Sequence, residues 1–151
     1  MKELQEIFKT TVQMPDSRAA VINIFHSNIY VKDQLLAQLK PYDLSLEQFN
    51  VLRILRGQKG KSINLQDIQQ RMVNKMSNTT RLVDKLLKKN FVERHLSQQN
   101  RRKVDISITK LGLKILKGLD PLILSVENSI TENLSSDELK QLNILLLKLK
   151  S

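Results

Sequence analysis

The stretch Asn74–Gly112, NKMSNTTRLVDKLLKKNFVERHLSQQNRRKVDISITKLG, constrains the fold most, because its apolar period changes twice in a short distance. Leu82, Val83, Leu86 and Leu87 recur at helical steps, while Ser77, Asn78, Thr80, Arg81, Asp84, Lys85 and Lys88 fall largely on the other faces. That spacing predicts a helix over Lys75–Lys89 with Asn74 as its N-cap. Asn90 can take the left-handed conformation that ends a helix. Val92, Arg94 and Leu96 then alternate with Phe91, Glu93 and His95, and Val104, Ile106 and Ile108 with Lys103, Asp105 and Ser107. Each alternation has the period of two that marks a strand. Between them runs Ser97-Gln-Gln-Asn-Arg-Arg102, polar and ending in two adjacent arginines. Thr109 is placed to cap a further helix.

Helix, strand, basic loop, strand, helix is the winged helix-turn-helix order, in which the first helix enters a major groove and the loop reaches an adjacent minor groove or the backbone. The first turns of the helix carry short hydrogen-bonding side chains, small enough to bring the backbone near base edges. Asn can pair with adenine, Arg with guanine, and Ser or Thr with several groups. Taken alone, such a polar first turn is more common on ordinary surface helices. The arginine-tipped loop beside it shifts the balance toward phosphate or minor-groove contact.

Charge points the same way. The chain holds 25 Lys and Arg against 15 Asp and Glu, a formal net charge of +10. Ser62–Gly112, a third of the chain, carries 11 basic and 4 acidic residues and so most of that excess. This is how a nucleic-acid footprint looks, although charge by itself fits a solvated basic face equally well.

The flanks read as helices. Leu4, Ile7, Phe8 and Val12 predict a short amphipathic helix within Met1–Met14, ended by Pro15, with Asp16 or Ser17 free to cap the next helix. A long helical pattern over Arg18–Lys40 carries Val21, Phe25, Ile29 and Leu36, widened by Ile24, Val31, Leu35 and Leu39. A stripe that broad is expected to face both the chain's own core and a second subunit. Pro41 should stop it at Lys40. Ser45-Leu-Glu-Gln48 is a capping box opening a helix that turns Phe49, Leu52 and Leu55 inward and ends in the turn of Gly57 and Gly60. Asn64 caps a third helix through Leu65, Ile68 and Met72. Beyond Thr109, Leu111, Ile115, Leu116, Leu119, Leu122, Ile123, Val126 and Ile130 continue a long helix, which Pro121 should kink or break. A second capping box, Ser135–Glu138, opens a last helix with Leu139, Leu142, Leu145, Leu146 and Leu149 on one side. These terminal helices have more apolar surface than one small winged helix covers, which favours an intertwined homodimer over a self-contained helical cap.

Ile63–Gly112 resembles the MarR family of bacterial transcription regulators, and the flanking helices fit the family's order, so the likeness covers nearly the whole chain. Three marks carry it: Leu65-x-x-Ile68-x-x-x-Met72 followed by Ser77, Thr80-Arg81-Leu-Val-Asp84 and Leu86; Phe91-Val-Glu-Arg94 with the wing ending Asn100-Arg-Arg102; and Ile108-Thr-Lys-Leu-Gly112. The resemblance implies a mainly α fold with a small β-hairpin wing. Residues 1–44 and 113–151 would form a helical dimerisation frame around a winged-helix DNA-binding region, 45–112, in one intertwined domain. It also implies a homodimeric repressor on a pseudo-palindromic operator, in many members released by a small, often aromatic, anion bound between frame and lobe. Arg102 stands where the family's wing arginine reaches the minor groove. The family wing commonly reads Asp-x-Arg, whereas this chain has Asn100, which can hydrogen-bond without charge pairing. Asn90 replaces a usual Gly, a mild change.

The expected DNA contacts are therefore Ser77, Asn78, Thr80 and Arg81 on bases, and Lys85, Arg101, Arg102 and Lys103 on phosphates or the groove. An enzyme is disfavoured: four Gly form no phosphate loop, Cys is absent, and His26 and His95 alone make no familiar metal or nucleophile site. No cofactor or metal is expected. The alternative is a winged helix that docks an acidic protein without reading DNA sequence. The absence of Cys, of a signal-like N-terminus and of a long apolar run suggests a cytoplasmic protein without membrane contact.

Overall fold

The computed structural model describes residues 4–100 and 102–151. The chain divides into two compact units, Met1–Gln34 and Leu35–Ser151, and the boundary falls within one long helix. In the first, the helix expected over the opening residues ends early: among the described residues it is a single turn, α1 (Leu4–Ile7). Lys9 at φ 49° turns the chain out of it. Four residues that bury nothing cannot offset the cost of nucleating a helix. The Phe8 ring stands edge-on to His26 at 5.5 Å, so His26 serves as an aromatic packing partner. Helix α2 (Asp16–Leu39) begins after Pro15, whose carbonyl accepts from Ala19 N–H. Pro41 does end α2, through a 3-10 turn over Lys40–Tyr42 closed by Asp43 at φ 52°.

In the second unit, helix α3 (Leu46–Gly57) opens on the predicted capping box: Ser45 Oγ accepts from Gln48 N–H at 3.0 Å and Gln48 Oε1 from Ser45 N–H at 2.9 Å. Strand β1 (Ile63–Asn64) is an element the sequence pattern does not show, since two residues cannot display an alternation. Asn64 then caps helix α4 (Leu65–Arg71), accepting from Asp67 N–H at 2.8 Å. Helix α5 (Thr79–Lys88), strands β2 (Val92–Leu96) and β3 (Val104–Ile108), helix α6 (Lys110–Thr131) and helix α7 (Ser136–Lys148) complete the chain. The antiparallel sheet has the order β1-β3-β2, with Ile63 opposite Ile106 and Val92 opposite Ile108. This is the winged helix-turn-helix architecture: mainly helical, with a hairpin whose connecting loop forms the wing.

One core organises this unit. Leu39, Val51, Leu52, Leu55, Ile68, Val83, Leu86, Ile106, Leu116 and Leu119 are all buried together. The α6 junction is tightly specified. Thr109 Oγ1 accepts from Gly112 N–H at 3.0 Å and donates to the Asn90 carbonyl at 2.7 Å. A Cβ on Gly112 would collide with the Phe91 carbonyl oxygen and stand 2.7 Å from Ile108 Cγ1. Helix α6 runs through Pro121 without the break that the pattern allows there. The proline removes one backbone hydrogen bond, but Leu116, Leu119 and Ile123 are buried around it. Burial of about 2 kcal/mol for each such side chain outweighs the loss. Arg56 also clamps the preceding Asp120, at 2.8 and 3.0 Å.

Candidate nucleic-acid interface

Helix α5 begins four residues later than the sequence pattern predicts. Asn78, not Asn74, is its N-cap, accepting from Arg81 N–H at 3.1 Å. Residues 74–77 form a turn instead, because Asn74 is used locally: its Oδ1 accepts from Met76 N–H at 3.0 Å and its carbonyl from Ser77 N–H at 3.1 Å. Asx-type bonds of this kind compete with helix propagation. The turn is tied down from both sides. Asn50 on α3 accepts from Val73 N–H at 2.9 Å, and Gln69 on α4 donates to the Lys75 carbonyl while accepting from the buried Thr79 hydroxyl. None of Asn50, Gln69 or Thr79 stood out in the sequence, since their partners lie up to two elements away.

The placement has chemical consequences. Its Oδ1 holds the cap, so Asn78 presents chiefly its NH₂, as a donor, to a base acceptor. Ser77 lies in the turn, its Oγ enclosed and without a hydrogen-bond partner. Thr80, Arg81 and Lys85 are exposed along α5, and Arg81 and Lys85 share a shallow depression with Asn74, Ser77 and Asn78. Val83 and Leu86 anchor the opposite side of the helix in the core. Asp84 is matched by Arg94 of β2 at 2.9 Å. Arg81, Lys85, Arg102 and Lys103, by contrast, enter no ion pair among the described residues.

The wing is a closed turn. Ser97 N–H donates to the Lys103 carbonyl at 3.0 Å and Lys103 N–H to the Asn100 carbonyl at 2.8 Å. Asn100 Oδ1 accepts from Arg102 N–H at 3.1 Å, so the neutral amide braces the backbone of the wing arginine. Arg102 and Lys103 are exposed at its tip; Arg101 lies outside the described residues. On the sheet, His95 Nε2 meets Ser107 Oγ at 2.8 Å, and Ser107 Oγ donates to Glu93 at 3.3 Å. Among the described residues no group of three or more His, Cys, Asp or Glu could hold a metal ion.

A cleft of about 690 Å³ opens elsewhere on the same unit, with Leu36, Leu44 and Leu82 among its walls and Lys40, Lys85, Lys88 and Lys89 around it. Lys89 pairs with Asp43 at 2.8 Å. That hydrogen bond first, then the charges of Lys89 and Lys85, hold the Asp43 carboxyl below its ordinary value. Sequence reading could not assemble this group, because Asp43 and Lys89 meet only through the fold.

The family model of the MarR family matches residues 44–104, the segment from the start of α3 to the wing. The Escherichia coli (strain K12) multiple antibiotic resistance protein MarR is 27% identical over 150 residues, covering 98% of each chain. Residues 44–104 are a MarR-family segment. A mutant MarR from E. coli, solved in complex with operator DNA, matches with a TM-score of 0.77 at 26% identity, over 98% of this chain and 99% of that one. The uncharacterised HTH-type transcriptional regulator YfiV of Bacillus subtilis (strain 168) is 38% identical over 77 residues. That match takes in 51% of this chain and 47% of YfiV, so it spans about half of that relative's length. The MarR family is one of transcription regulators, and its model covers the winged helix of this chain. No helix among the described residues is long and apolar enough to cross a membrane.

Proposed function

We propose that the chain binds double-stranded DNA sequence-specifically as a cytoplasmic homodimer, and acts as a ligand-responsive repressor at a pseudo-palindromic operator. The observation that carries this reading is the set of exposed cations Arg81, Lys85, Arg102 and Lys103, in no ion pair among the described residues and displayed by a core-anchored helix and a closed wing. Residues 45–112 are the DNA-binding region, and 1–44 with 113–151 the dimerisation frame. Thr80 and Arg81 contact bases; Asn78 contributes a donor; Ser77 acts by letting the backbone approach. Lys85, Arg101, Arg102 and Lys103 contact phosphates or the minor groove. That the E. coli relative was solved with operator DNA supports DNA binding as the reading.

The dimer is supported by the apolar side chains that a single chain leaves in water: Leu122 and Leu124 on α6, and Leu142, Leu145, Leu146 and Leu149 on α7. The effector is a small aromatic or other organic anion. The apolar-walled, lysine-rimmed cleft supports that class, and Lys85 would be shared between anion and DNA.

Selection of the purified protein against random duplex DNA at about 150 mM salt, where weak non-specific binding is suppressed, tests the reading. An inverted repeat with half-sites near one helical turn apart is the expected outcome. A folded dimer that enriches nothing would instead be a winged helix docking an acidic protein.

A further inference from the structure

Met76 and Val73 are the most exposed large apolar side chains among the described residues, at 91% and 88%. They do not sit on a loose loop. The backbone N–H groups of both residues are bonded, to Asn74 Oδ1 and Asn50 Oδ1, and Gln69 holds the Lys75 carbonyl between them. A turn braced in this way holds two apolar side chains out in water, and nothing among the described residues covers them. They stand directly before Asn78 and Arg81, in the third of the sequence that carries most of the excess positive charge. Charge complementarity therefore makes the partner a polyanion. The major groove of duplex DNA offers one apolar group at its base edges, the C5-methyl of thymine.

We propose that Met76 packs on a thymine methyl in the half-site read by α5, with Val73 extending the apolar edge over the neighbouring sugar. The inference rests on the DNA-binding reading above and adds a specificity element to it. An unbranched, polarisable thioether suits this contact, because it adapts to a small methyl without demanding one rotamer. One buried methyl corresponds to about a fourfold change in affinity.

The test uses the full chain and the selected operator, with each thymine of one half-site replaced in turn by deoxyuridine, which lacks only the methyl. At one position the wild type binds the substituted duplex about fourfold more weakly. Met76→Ser, whose urea midpoint should match the wild type because the side chain is exposed, binds both duplexes alike at that position. A wild type indifferent to deoxyuridine everywhere overturns the contact, and so does a penalty that persists unchanged in Met76→Ser. If selection returns no site at all, the DNA reading itself fails and takes the contact with it.

Discussion

Helices α3 and α7 start in the same way and end differently. Each opens on a serine capping box, Ser45 with Gln48 and Ser135 with Glu138, and each carries a run of large aliphatic residues. Helix α3 buries Phe49, Val51, Leu52 and Leu55; helix α7 buries nothing. The difference is not in local signals. Helix α3 is surrounded by α4, α5, α6 and β3, so its leucines complete a core. The leucines of α7 have no such neighbours among the described residues, and the proposed dimer is what would cover them. Capping chemistry decides where a helix begins; topology decides whether its apolar face is satisfied at home.

The largest expected break in this comparison is Leu86→Ala, which should cost about 2–5 kcal/mol in urea denaturation because the side chain is fully buried. Leu145→Ala on α7 should instead leave that unfolding transition nearly unchanged and weaken self-association in sedimentation. Equal stability losses at both positions would erase the distinction. Next comes Gly112→Ala, expected to destabilise by about 1–3 kcal/mol or more, since a Cβ there collides with backbone. An unaltered midpoint would show that the α6 junction yields. Arg102→Ala should weaken operator binding by about 1–3 kcal/mol while leaving the oligomer intact, and Arg81→Ala should erase discrimination between sites. A uniform loss on every sequence would recast Arg81 as a phosphate contact.

Ser135→Ala should cost about 1 kcal/mol as a lost cap. The smallest effect is electrostatic. The folded-state pKa of Asp43 is depressed, first by its hydrogen bond to Lys89, so its contribution is present above the unfolded value near ~3.9 and is lost as pH falls through the folded one. The stability difference between wild type and Lys89→Met should therefore be small at neutral pH and shrink below about pH 4. A difference independent of pH would remove the ion pair from the account.

The parts legible in the sequence were those set by short-range chemistry. Both capping boxes, the Asn64 and Thr109 caps, the left-handed Asn90, the strand alternations and the end of α2 before Pro41 all stand as their residues imply. The failures share a cause. Asn74 and Asn78 are equally good caps by type; the local bonds of Asn74, together with those of Asn50 and Gln69 to the turn, leave the second as the cap. Pro121 is locally a helix breaker, and only the burial of Leu116, Leu119 and Ile123 carries the helix past it. The opening residues have helical spacing but bury no side chain to stabilise more than one turn.

By itself, then, the sequence determined the order of the longer elements and the basic character of Ser62–Gly112, because caps and periodicity act over a few residues. The tertiary structure decided where α5 starts and that Met76 is held outward beside it. Both depend on bonds from Asn50 and Gln69, side chains of neighbouring helices that the folded arrangement brings to the turn.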